Sequence, residues 1–231
     1  MHYSFDLEVF LMINKGFLAI WCEMADDDLQ DYRNWLTQEH IADRTFLPGF
    51  LGVRLFTRVD NENAHFILYS TSEPNVLQSK PYIEVLNNPS PWTKRIMPRF
   101  GAFDRATGAE AVKLGNGFGS FITVCRLKTA INRSDAKHPE GPLSKYQQID
   151  GVVSTRLLTL DGQMTDIDTE EKTMRIGNEG TFPTLLCFEA FYRNGAELAA
   201  QNLHEDFGSD VIDTGVYQVL YGEAPHEGPS V

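Results

Sequence analysis

His40 is the side chain best placed to do chemistry, because it follows an apolar helical pattern. That pattern consists of Leu29, Tyr32 and Leu36, spaced by three or four residues. On a continuous helix the imidazole therefore points the same way as the apolar side chains. A half-buried imidazole can accept or donate a proton near neutral pH without a cofactor. The competing interpretation is structural, with His40 hydrogen-bonded to a carbonyl near the helix C-terminus.

Further polar and aromatic residues could complete a site around this imidazole. Arg44, one turn after His40, could hold an anionic group or an enolate. Tyr69, on a predicted strand, could donate its phenolic proton to a developing oxyanion, although tyrosine on a strand also simply packs well. The candidates for contact with a substrate are Trp21, Arg54, Tyr82, Asn87 and Trp92.

Structural explanations compete for several of these residues. Asn87 also serves as a helix stop before Asn88-Pro89, and Trp92 could plug the rim of the fold. Arg54 and Arg156 lie in equivalent apolar runs of the two halves of the chain. If both arginines face inward, they need carboxylate partners or a bound anion, because an unpaired buried charge is very costly.

The remaining histidines and the motif content give little sign of a cofactor. We expect His65, beside a hairpin, to be exposed, and His204 to be a positive charge at the end of a helix. The sequence has no paired-cysteine or His-x-x-x-His spacing, so we predict no metal site. No glycine-rich phosphate loop follows a strand either. We therefore predict no cofactor.

Composition limits the classes of function. The 231 residues include 32 acidic and 20 basic side chains, a net charge of −12, which argues against nucleic-acid and membrane-surface roles. Cys22, Cys125 and Cys187 lie in apolar runs and are expected to be buried thiols of a cytoplasmic protein. The stretch Met1–Trp21 lacks a basic start and a small-residue cleavage site, so we expect no signal peptide.

The chain contains an internal duplication. Gly16-Phe-Leu-Ala-Ile-Trp-Cys22 aligns with Gly119-Ser-Phe-Ile-Thr-Val-Cys125, and Gly49-Phe-Leu-Gly-Val-Arg54 aligns with Gly151-Val-Val-Ser-Thr-Arg156. A third pair, His65–Tyr69 with Thr184–Phe188, follows in the same order. Three matched strands in one order indicate two copies of one structural unit.

Each copy is predicted to fold as a βαββαβ, ferredoxin-like unit. The elements predicted in the first half are strands 16–24, 50–59, 65–71 and 99–105, helices 26–43 and 73–87, a turn at Asn61-Glu62-Asn63 and a link over Ser90–Pro98. Those in the second half are strands 119–128, 151–160, 184–191 and 214–222, a helix over 194–206 and a degraded first helix over 143–149.

The predicted domain division follows from these elements. It comprises an extension (1–15), a first repeat (16–108), a linker (109–118), a second repeat (119–222) and a flexible tail (223–231). The hairpin loop Gly162–Gly180 is long enough to be a lid, a partner-binding segment or partly disordered. Each four-stranded antiparallel sheet keeps one apolar face uncovered by helices. Packing those faces together gives an α+β fold that can close as a barrel.

Two segments carry a resemblance to a known superfamily. Trp35-Leu-Thr-Gln-Glu39-His40-Ile-Ala-Asp-Arg44, followed by Leu47-Pro48-Gly49-Phe50, resembles the dimeric α+β barrels, and within them the EthD-like proteins. Leu86-Asn-Asn-Pro89-Ser-Pro-Trp92-Thr93 is similar to a segment of uncharacterised bacterial proteins of that kind. The resemblance covers residues 16–105, and the second half matches in strand order only. The superfamily includes monooxygenases, cyclases, isomerases, haem proteins and stress-responsive proteins, so it implies no single reaction.

Three functions remain open from the sequence. The first is a cofactor-free enzyme that uses His40 as acid and base on a small aromatic or carbonyl metabolite, as an isomerase, cyclase, lyase or monooxygenase. The second is a non-catalytic barrel that binds a small molecule or a partner. The third is a haem protein with His40, His65 or His204 as the axial ligand. A homodimer of the tandem unit is compatible with each of them.

Overall fold

In the computed structural model, which describes residues 15–224, each half of the chain forms a four-stranded antiparallel sheet. The strands of the first half are β1 (Gly16–Met24), β2 (Phe50–Arg58), β3 (Asn61–Thr71) and β4 (Phe100–Leu114). Those of the second half are β5 (Phe121–Leu127), β6 (Val152–Leu160), β8 (Thr184–Ala190) and β9 (Val211–Glu223), and its hairpin loop adds the two-residue β7 (Asn178–Glu179), which pairs with β4. The orders β4-β1-β3-β2 and β9-β5-β8-β6 are those of ferredoxin-like units.

The two sheets join into one closed eight-stranded barrel. Strand β2 pairs with β9, and β4 pairs with β6, both antiparallel. This closure removes the open edges and buries the inward face of each sheet. The interior is filled by apolar side chains from both halves, which are Phe17, Ala19, Trp21, Phe56, Phe66, Leu68, Ala106, Ile122, Val124, Leu158, Phe182, Leu185, Cys187 and Tyr217. The predicted α+β barrel of two tandem units is confirmed.

The strand joining the two units is longer than predicted. The predicted strand 99–105 runs on to Leu114, because residues 108–114 pair with β6. Most of the predicted linker 109–118 is therefore part of the barrel wall. The predicted turn Asn61–Asn63 is also displaced, since the turn lies at Val59-Asp60 and β3 begins at Asn61.

Helices cover the outer face of the first sheet. They are α1 (Asp26–Trp35), a π-helical turn (Leu36–His40), α2 (Ala42–Thr45), a 3-10 turn (Pro74–Gln78), α3 (Lys80–Asn87), α4 (Pro91–Ile96) and a second 3-10 turn (Met97–Arg99). The single helix predicted for 26–43 is thus interrupted, as the Ile41 amide bonds to the Leu36 carbonyl at 3.0 Å, five residues back. The predicted helix 73–87 becomes regular only at Lys80, where Ser79 caps it.

The region predicted as a link, Ser90–Pro98, is largely helical, and Ser90 is the residue that caps the helix. Its Oγ accepts a hydrogen bond from the Thr93 amide at 2.9 Å, and Pro91 occupies the first turn. Serine as N-cap followed by proline favours helix initiation.

The second unit contributes several short helices and one of fifteen residues. They are α5 (Arg133–Lys137), α6 (Pro142–Gln147), α7 (Gly162–Thr165), α8 (Glu170–Met174), α9 (Arg193–Phe207) and a 3-10 turn (Gly208–Asp210). The degraded first helix is the six-residue α6, whose Tyr146 stacks on Phe188 of the sheet at 4.5 Å between ring centroids. Within residues 15–224, no helix is both long and apolar enough to cross a bilayer.

The long hairpin loop of the second unit is ordered and lies on the first unit. It contains α7, α8 and β7, and β7 pairs parallel to β4 through Asp104 and Asn178. We call residues 162–180 the crossing segment. The predicted extension 1–15 and tail 223–231 lie almost wholly outside the described residues, which include only Lys15, Glu223 and Ala224 of them.

Candidate functional site

A cavity lies between the outer face of the first sheet and the helices that cover it. Its volume is about 50 Å³, and the whole space between the lining side chains, including the part open to solvent, is about 670 Å³. Most of the wall is apolar or aromatic, and is formed by Leu18, Ile20, Cys22, Tyr32, Trp35, Leu36, Ile67, Tyr69, Tyr82, Leu86, Met97, Phe100, Phe103 and Ile167. The polar lining residues are His40, Arg44, Arg105, Thr169, Glu171, Lys172 and Arg175.

The imidazole of His40 is buried in this wall. Only 5% of the residue is exposed, and its ring lies against the indole of Trp35, with centroids 3.9 Å apart. The Nδ1 atom has no hydrogen-bond partner. Burial, and secondarily the positive charge of Arg44, hold the pKa of His40 well below its usual 6.5. The ring is therefore neutral at pH 7 and can accept a proton.

The π-helical turn determines the direction in which the side chains of His40 and Arg44 point. A turn that closes over five residues rotates every later side chain relative to a regular α-helix. The face predicted from the regular spacing of Leu29, Tyr32 and Leu36 therefore does not extend unchanged to His40. Arg44 follows the turn and donates from Nη1 to the His40 carbonyl oxygen at 3.2 Å.

Arg44 is buried and paired with an acid from the other unit. Its exposed fraction is 2%, and its Nη2 donates to Glu171 Oε1 at 2.6 Å. Glu171 lies on α8 of the crossing segment, where Thr169 caps the helix by accepting from the Lys172 amide at 3.3 Å. The site thus combines residues of both halves of the chain.

Two tyrosines complete the polar part of the cavity. The hydroxyl of Tyr69 is buried without a hydrogen-bond partner, and burial raises its pKa despite the opposing charge of Arg44. Tyr82 is 1% exposed and packs on Phe50, with ring centroids 5.6 Å apart. Of the residues predicted from sequence, the structure brings together His40, Arg44, Tyr69 and Tyr82.

Asn87 and Trp92 lie beside the cavity without lining it. The Asn87 side-chain oxygen accepts a hydrogen bond from the Glu170 amide at 3.0 Å and so holds the start of α8. The indole nitrogen of Trp92 donates to Asp31 at 2.9 Å, and Arg95 lies over the Trp92 ring. Both residues support the wall.

Trp21 and Arg54 lie in the barrel interior, on the opposite face of the sheet from His40. Alternate residues of a strand point to opposite faces, so Trp21 points inward while Cys22 lines the cavity. The Trp21 ring packs on Phe66 at 5.1 Å, and the guanidinium of Arg126 lies 4.9 Å from its centroid.

Arg54 and Arg156, which occupy equivalent positions in the two units, share one buried carboxylate. Both guanidiniums bond to Glu189, Arg156 at 2.5 Å, and the Gly119 amide also donates to Glu189 at 2.8 Å. The side chain of Glu189 is 1% exposed. This carboxylate is the partner that two inward arginines require.

His65 is buried, and the prediction that it is exposed is wrong. Strand alternation places it on the same face as Ile67 and Tyr69, under α1, where it is 1% exposed and edge-on to Tyr32 at 5.0 Å. Its Nδ1 lies 3.1 Å from the Asn63 carbonyl oxygen. Burial, together with nearby Arg33, lowers its pKa to about 4. His204 is exposed on α9, as predicted.

A scan against family models finds no match, and a search of curated proteins finds none either. Solved structures do match over nearly the whole chain. An anthrone oxidase-like protein has a TM-score of 0.63 at 14% identity, covering 94% of this chain and 95% of its own. The chain has a ferredoxin-like α+β barrel fold. Two further structures of lower similarity agree with this result.

One is a candidate monooxygenase from Fusobacterium nucleatum, with a TM-score of 0.56, 11% identity and coverage of 93% of this chain and 96% of its own. The other is a variant of the chlorite dismutase from Candidatus Nitrospira defluvii, with a TM-score of 0.51, 8% identity and coverage of 93% and 94%. At such identities the likeness concerns the fold of this α+β barrel alone.

Two of the three histidines considered as haem ligands do not fit a haem. His40 is packed on Trp35 beside a volume of about 50 Å³, and His65 is covered by Tyr32. The third, His204, is exposed on α9. Between residues 15 and 224, no three His, Cys, Asp or Glu side chains are grouped so that they could hold a metal ion.

The site residues that come from the crossing segment were not predicted from the sequence. Thr169, Glu171, Lys172 and Arg175 line the cavity of the first unit from a loop of the second. The length of the Gly162–Gly180 loop was the one signal available, because long ordered loops often cover sites. Trp35 was quoted only as part of the resemblance and is now the ring that packs on His40.

Proposed function

We propose that this α+β barrel is a cofactor-independent enzyme that uses His40 as the proton acceptor for a small organic molecule. The observation that carries the proposal is a neutral, buried imidazole, without a partner at Nδ1, in an aromatic cavity that also holds Arg44 and Tyr69. General base catalysis requires an unprotonated acceptor that is held in position beside the substrate.

The reaction that this set of groups serves best is removal of a proton beside a carbonyl. The C–H proton passes to His40, and the electron pair moves onto the carbonyl oxygen as an enolate. Arg44 and the Tyr69 hydroxyl stabilise that oxygen by charge and by hydrogen bonding. Return of the proton to another carbon gives isomerisation, loss of a leaving group gives elimination, and attack on a second carbonyl gives cyclisation.

The aromatic wall favours a flat, ring-bearing substrate. Tyr32, Trp35, Phe100 and Phe103 all line the cavity, and Tyr82 joins them as a substrate contact. Aromatic side chains pack on flat rings in stacked or edge-on arrangements. Asn87 and Trp92 support this site indirectly, because their hydrogen bonds hold α8 and α1 in place. Trp21 and Arg54 do not line this cavity and lie at two other pockets of the protein.

An oxygenase variant uses the same first step. One similar structure is called anthrone oxidase-like and another a candidate monooxygenase. Anthrone is an aromatic ketone with an acidic C–H, so a base that deprotonates it produces a carbanion that O2, as the second substrate, can oxidise. His40 would act identically in this variant, which therefore differs only in the fate of the anion.

Exchange of substrate hydrogen for deuterium tests the proton transfer directly. Anthrone and 2-tetralone are incubated with the protein in D2O under argon, and loss of the C–H signal is followed by NMR. We expect His40→Ala to slow the exchange on the order of 100-fold or more, because a positioned base contributes roughly that much. His204→Ala, an exposed histidine on α9, is the matched control and should leave the rate unchanged.

Exchange at the wild-type rate in His40→Ala would contradict the proposal. If that variant melts much earlier than wild type, His40→Gln, which fills more of the space, replaces it in the same measurement. A protein that binds these ketones without exchanging or consuming them supports the second candidate, a non-catalytic small-molecule binder. The mainly apolar and aromatic lining of the cavity is the observation that favours that candidate.

The same proposal includes the family, the cellular setting and the oligomeric state of the protein. The run Trp35–Phe50 supports an EthD-like protein, and the free, buried cysteines Cys22, Cys125 and Cys187 support a reducing, cytoplasmic setting. The unit is proposed to pair with a second copy. Size-exclusion chromatography with light scattering distinguishes a 26.1 kDa monomer from a dimer of twice that mass.

A further inference from the structure

We infer that the ligand of the His40 cavity carries an anionic group, which takes the place of the Glu171 carboxylate on Arg44. The inference rests on the proposed function, in that it assumes a small molecule enters this cavity. It adds the chemical class of that molecule: a flat aromatic body with one carboxylate, phenolate or enolate oxygen.

The first argument is the burial of Arg44. Its side chain is 3% exposed and that of Glu171 10%, with 2.6 Å between Nη2 and Oε1. A guanidinium at this depth is strongly destabilised without a counter-charge. Whenever Glu171 leaves, another anion is therefore favoured in its place.

Glu171 lies on a segment whose regular elements are shorter than the strands of the barrel wall. Its elements have four, five and two residues, whereas β4 beneath it has fifteen. Contacts to the first unit include the Glu170–Asn87 hydrogen bond and the Arg175 guanidinium 3.9 Å from the Phe103 ring centroid. Short elements with few backbone hydrogen bonds open at a lower free energy than the core of a sheet.

The volume of the cavity also bears on the ligand. About 50 Å³ has room for a few water molecules and is too small for an aromatic ring system. A ring-bearing ligand must therefore displace part of the wall, and the crossing segment supplies Glu171 to that wall. Entry of the ligand and departure of Glu171 are thus one event.

The last argument is the sign of the charge around the cavity. The chain as a whole has a net charge of −12, yet the lining residues include four cationic side chains and only one acid, Glu171. The cations are Arg44, Arg105, Lys172 and Arg175. Lys172 also pairs with Asp166 and Asp168 outside the lining. Among the lining residues, Glu171 is therefore the acid that an anionic ligand would replace.

The test compares 2-naphthoate with its neutral analogue 2-naphthamide by isothermal titration calorimetry. In Glu171→Gln the competing carboxylate is gone, so we expect 2-naphthoate to bind about tenfold tighter or more than it binds wild type. The Kd of 2-naphthamide should change less than threefold. Glu170→Gln, an exposed neighbour on the same helix, is the matched control and should leave both Kd values unchanged.

A second variant keeps the inference testable if Glu171→Gln is unstable. Arg44→Met removes the cation, and we expect it to bind the naphthoate no better than the naphthamide. Three outcomes would overturn the inference: equal tightening of both compounds in Glu171→Gln, a preference for naphthoate that persists in Arg44→Met, or no binding of naphthoate to wild type and Glu171→Gln.

The result of this binding test can be distinguished from the result of the deuterium-exchange test of the proposed function. Selective binding of naphthoate that is unchanged in His40→Ala, with no deuterium exchange on any ketone, would leave the anionic class standing and remove the enzyme. Deuterium exchange that depends on His40, with equal affinity for both naphthalene compounds, would do the reverse.

Discussion

The imidazole of His40 lies 3.9 Å, centroid to centroid, from the indole of Trp35, and the two ring planes are inclined by 43°. Trp35 is itself fixed, because its Nε1 donates to Thr93 Oγ1 at 3.1 Å. The indole excludes water from one side of the imidazole. The orientation and the neutral state of the proposed base therefore have one structural origin, the packing of α1 and its π-helical turn on α4.

The first prediction concerns the titration of His40. Burial and the charge of Arg44 lower its pKa, so the ring should stay neutral from pH 8 to well below 6.5 and the deuterium-exchange rate should stay flat over that range. The rate should fall only in more acidic solution, as the imidazole gains a proton. Arg44→Met removes the cationic neighbour and should raise the pKa, moving the acid limb of the profile upward. An acid limb centred at 6.5 in wild type would contradict this prediction.

The second prediction concerns stability in acid. His65 has a pKa of about 4 in the folded protein and near 6.5 when unfolded. The unfolded state binds more protons between these values, so stability should be full above pH 6.5 and fall as the pH drops toward 4. The difference between the folded and unfolded pKa values of His65 corresponds to a loss of roughly 3 kcal/mol in the free energy of unfolding.

Urea unfolding from pH 7.5 to 4.5 measures this loss. His65→Asn cannot take up the proton and should show a shallower pH dependence, the remainder arising from His40, whose pKa is lowered in the same direction. An unchanged slope in His65→Asn would show that His65 is accessible to protons in the folded state. His204→Asn, at an exposed position, is the control and should keep the wild-type slope.

The third prediction concerns the carboxylate shared by two arginines. Glu189→Gln leaves Arg54 and Arg156 without their counter-charge in the barrel and should cost about 3–5 kcal/mol. For a chain of this size the Tm should fall on the order of 10 °C. Differential scanning calorimetry measures the change.

An exposed ion pair provides the control for this measurement. Glu197→Gln breaks the pair between Arg193 and Glu197, whose side chains are 54% and 46% exposed, and should change stability by less than about 1 kcal/mol. Equal effects of Glu189→Gln and Glu197→Gln would mean that water reaches Glu189. Adding Arg54→Met and Arg156→Leu to Glu189→Gln should recover part of the loss, since no unpaired charge then remains.

The fourth prediction concerns thiol reactivity. Burial raises the pKa of Cys22 to about 12, of Cys125 to about 11 and of Cys187 to about 12. The thiolate is the reactive form, so 5,5′-dithiobis(2-nitrobenzoate) at pH 8 should label none of the three in the folded protein. All three should react within minutes in 6 M guanidinium chloride. Rapid labelling of one cysteine before unfolding would show that its strand opens locally.

The sequence by itself determined the architecture. The duplicated strands, with Arg54 and Arg156 at matching positions, predicted two ferredoxin-like units and a barrel between them. Apolar alternation and repeat spacing are local properties of the chain, and a sheet with one uncovered apolar face has few ways to bury it. Of the site residues predicted in this way, His40, Arg44, Tyr69 and Tyr82 line one cavity.

Tertiary structure alone decided which other groups meet these residues. The ion pair of Arg44 with Glu171 joins positions 127 residues apart, and no periodicity in either segment encodes that distance. The π-helical turn at Leu36–His40 exists because packing of the helix on both the sheet and α4 offsets the loss of regular hydrogen bonding. Burial of His65 depends on α1 covering β3, which a strand pattern cannot specify. The sequence gives the type of each side chain. The burial of that side chain and its contact partners are determined only when distant segments pack together.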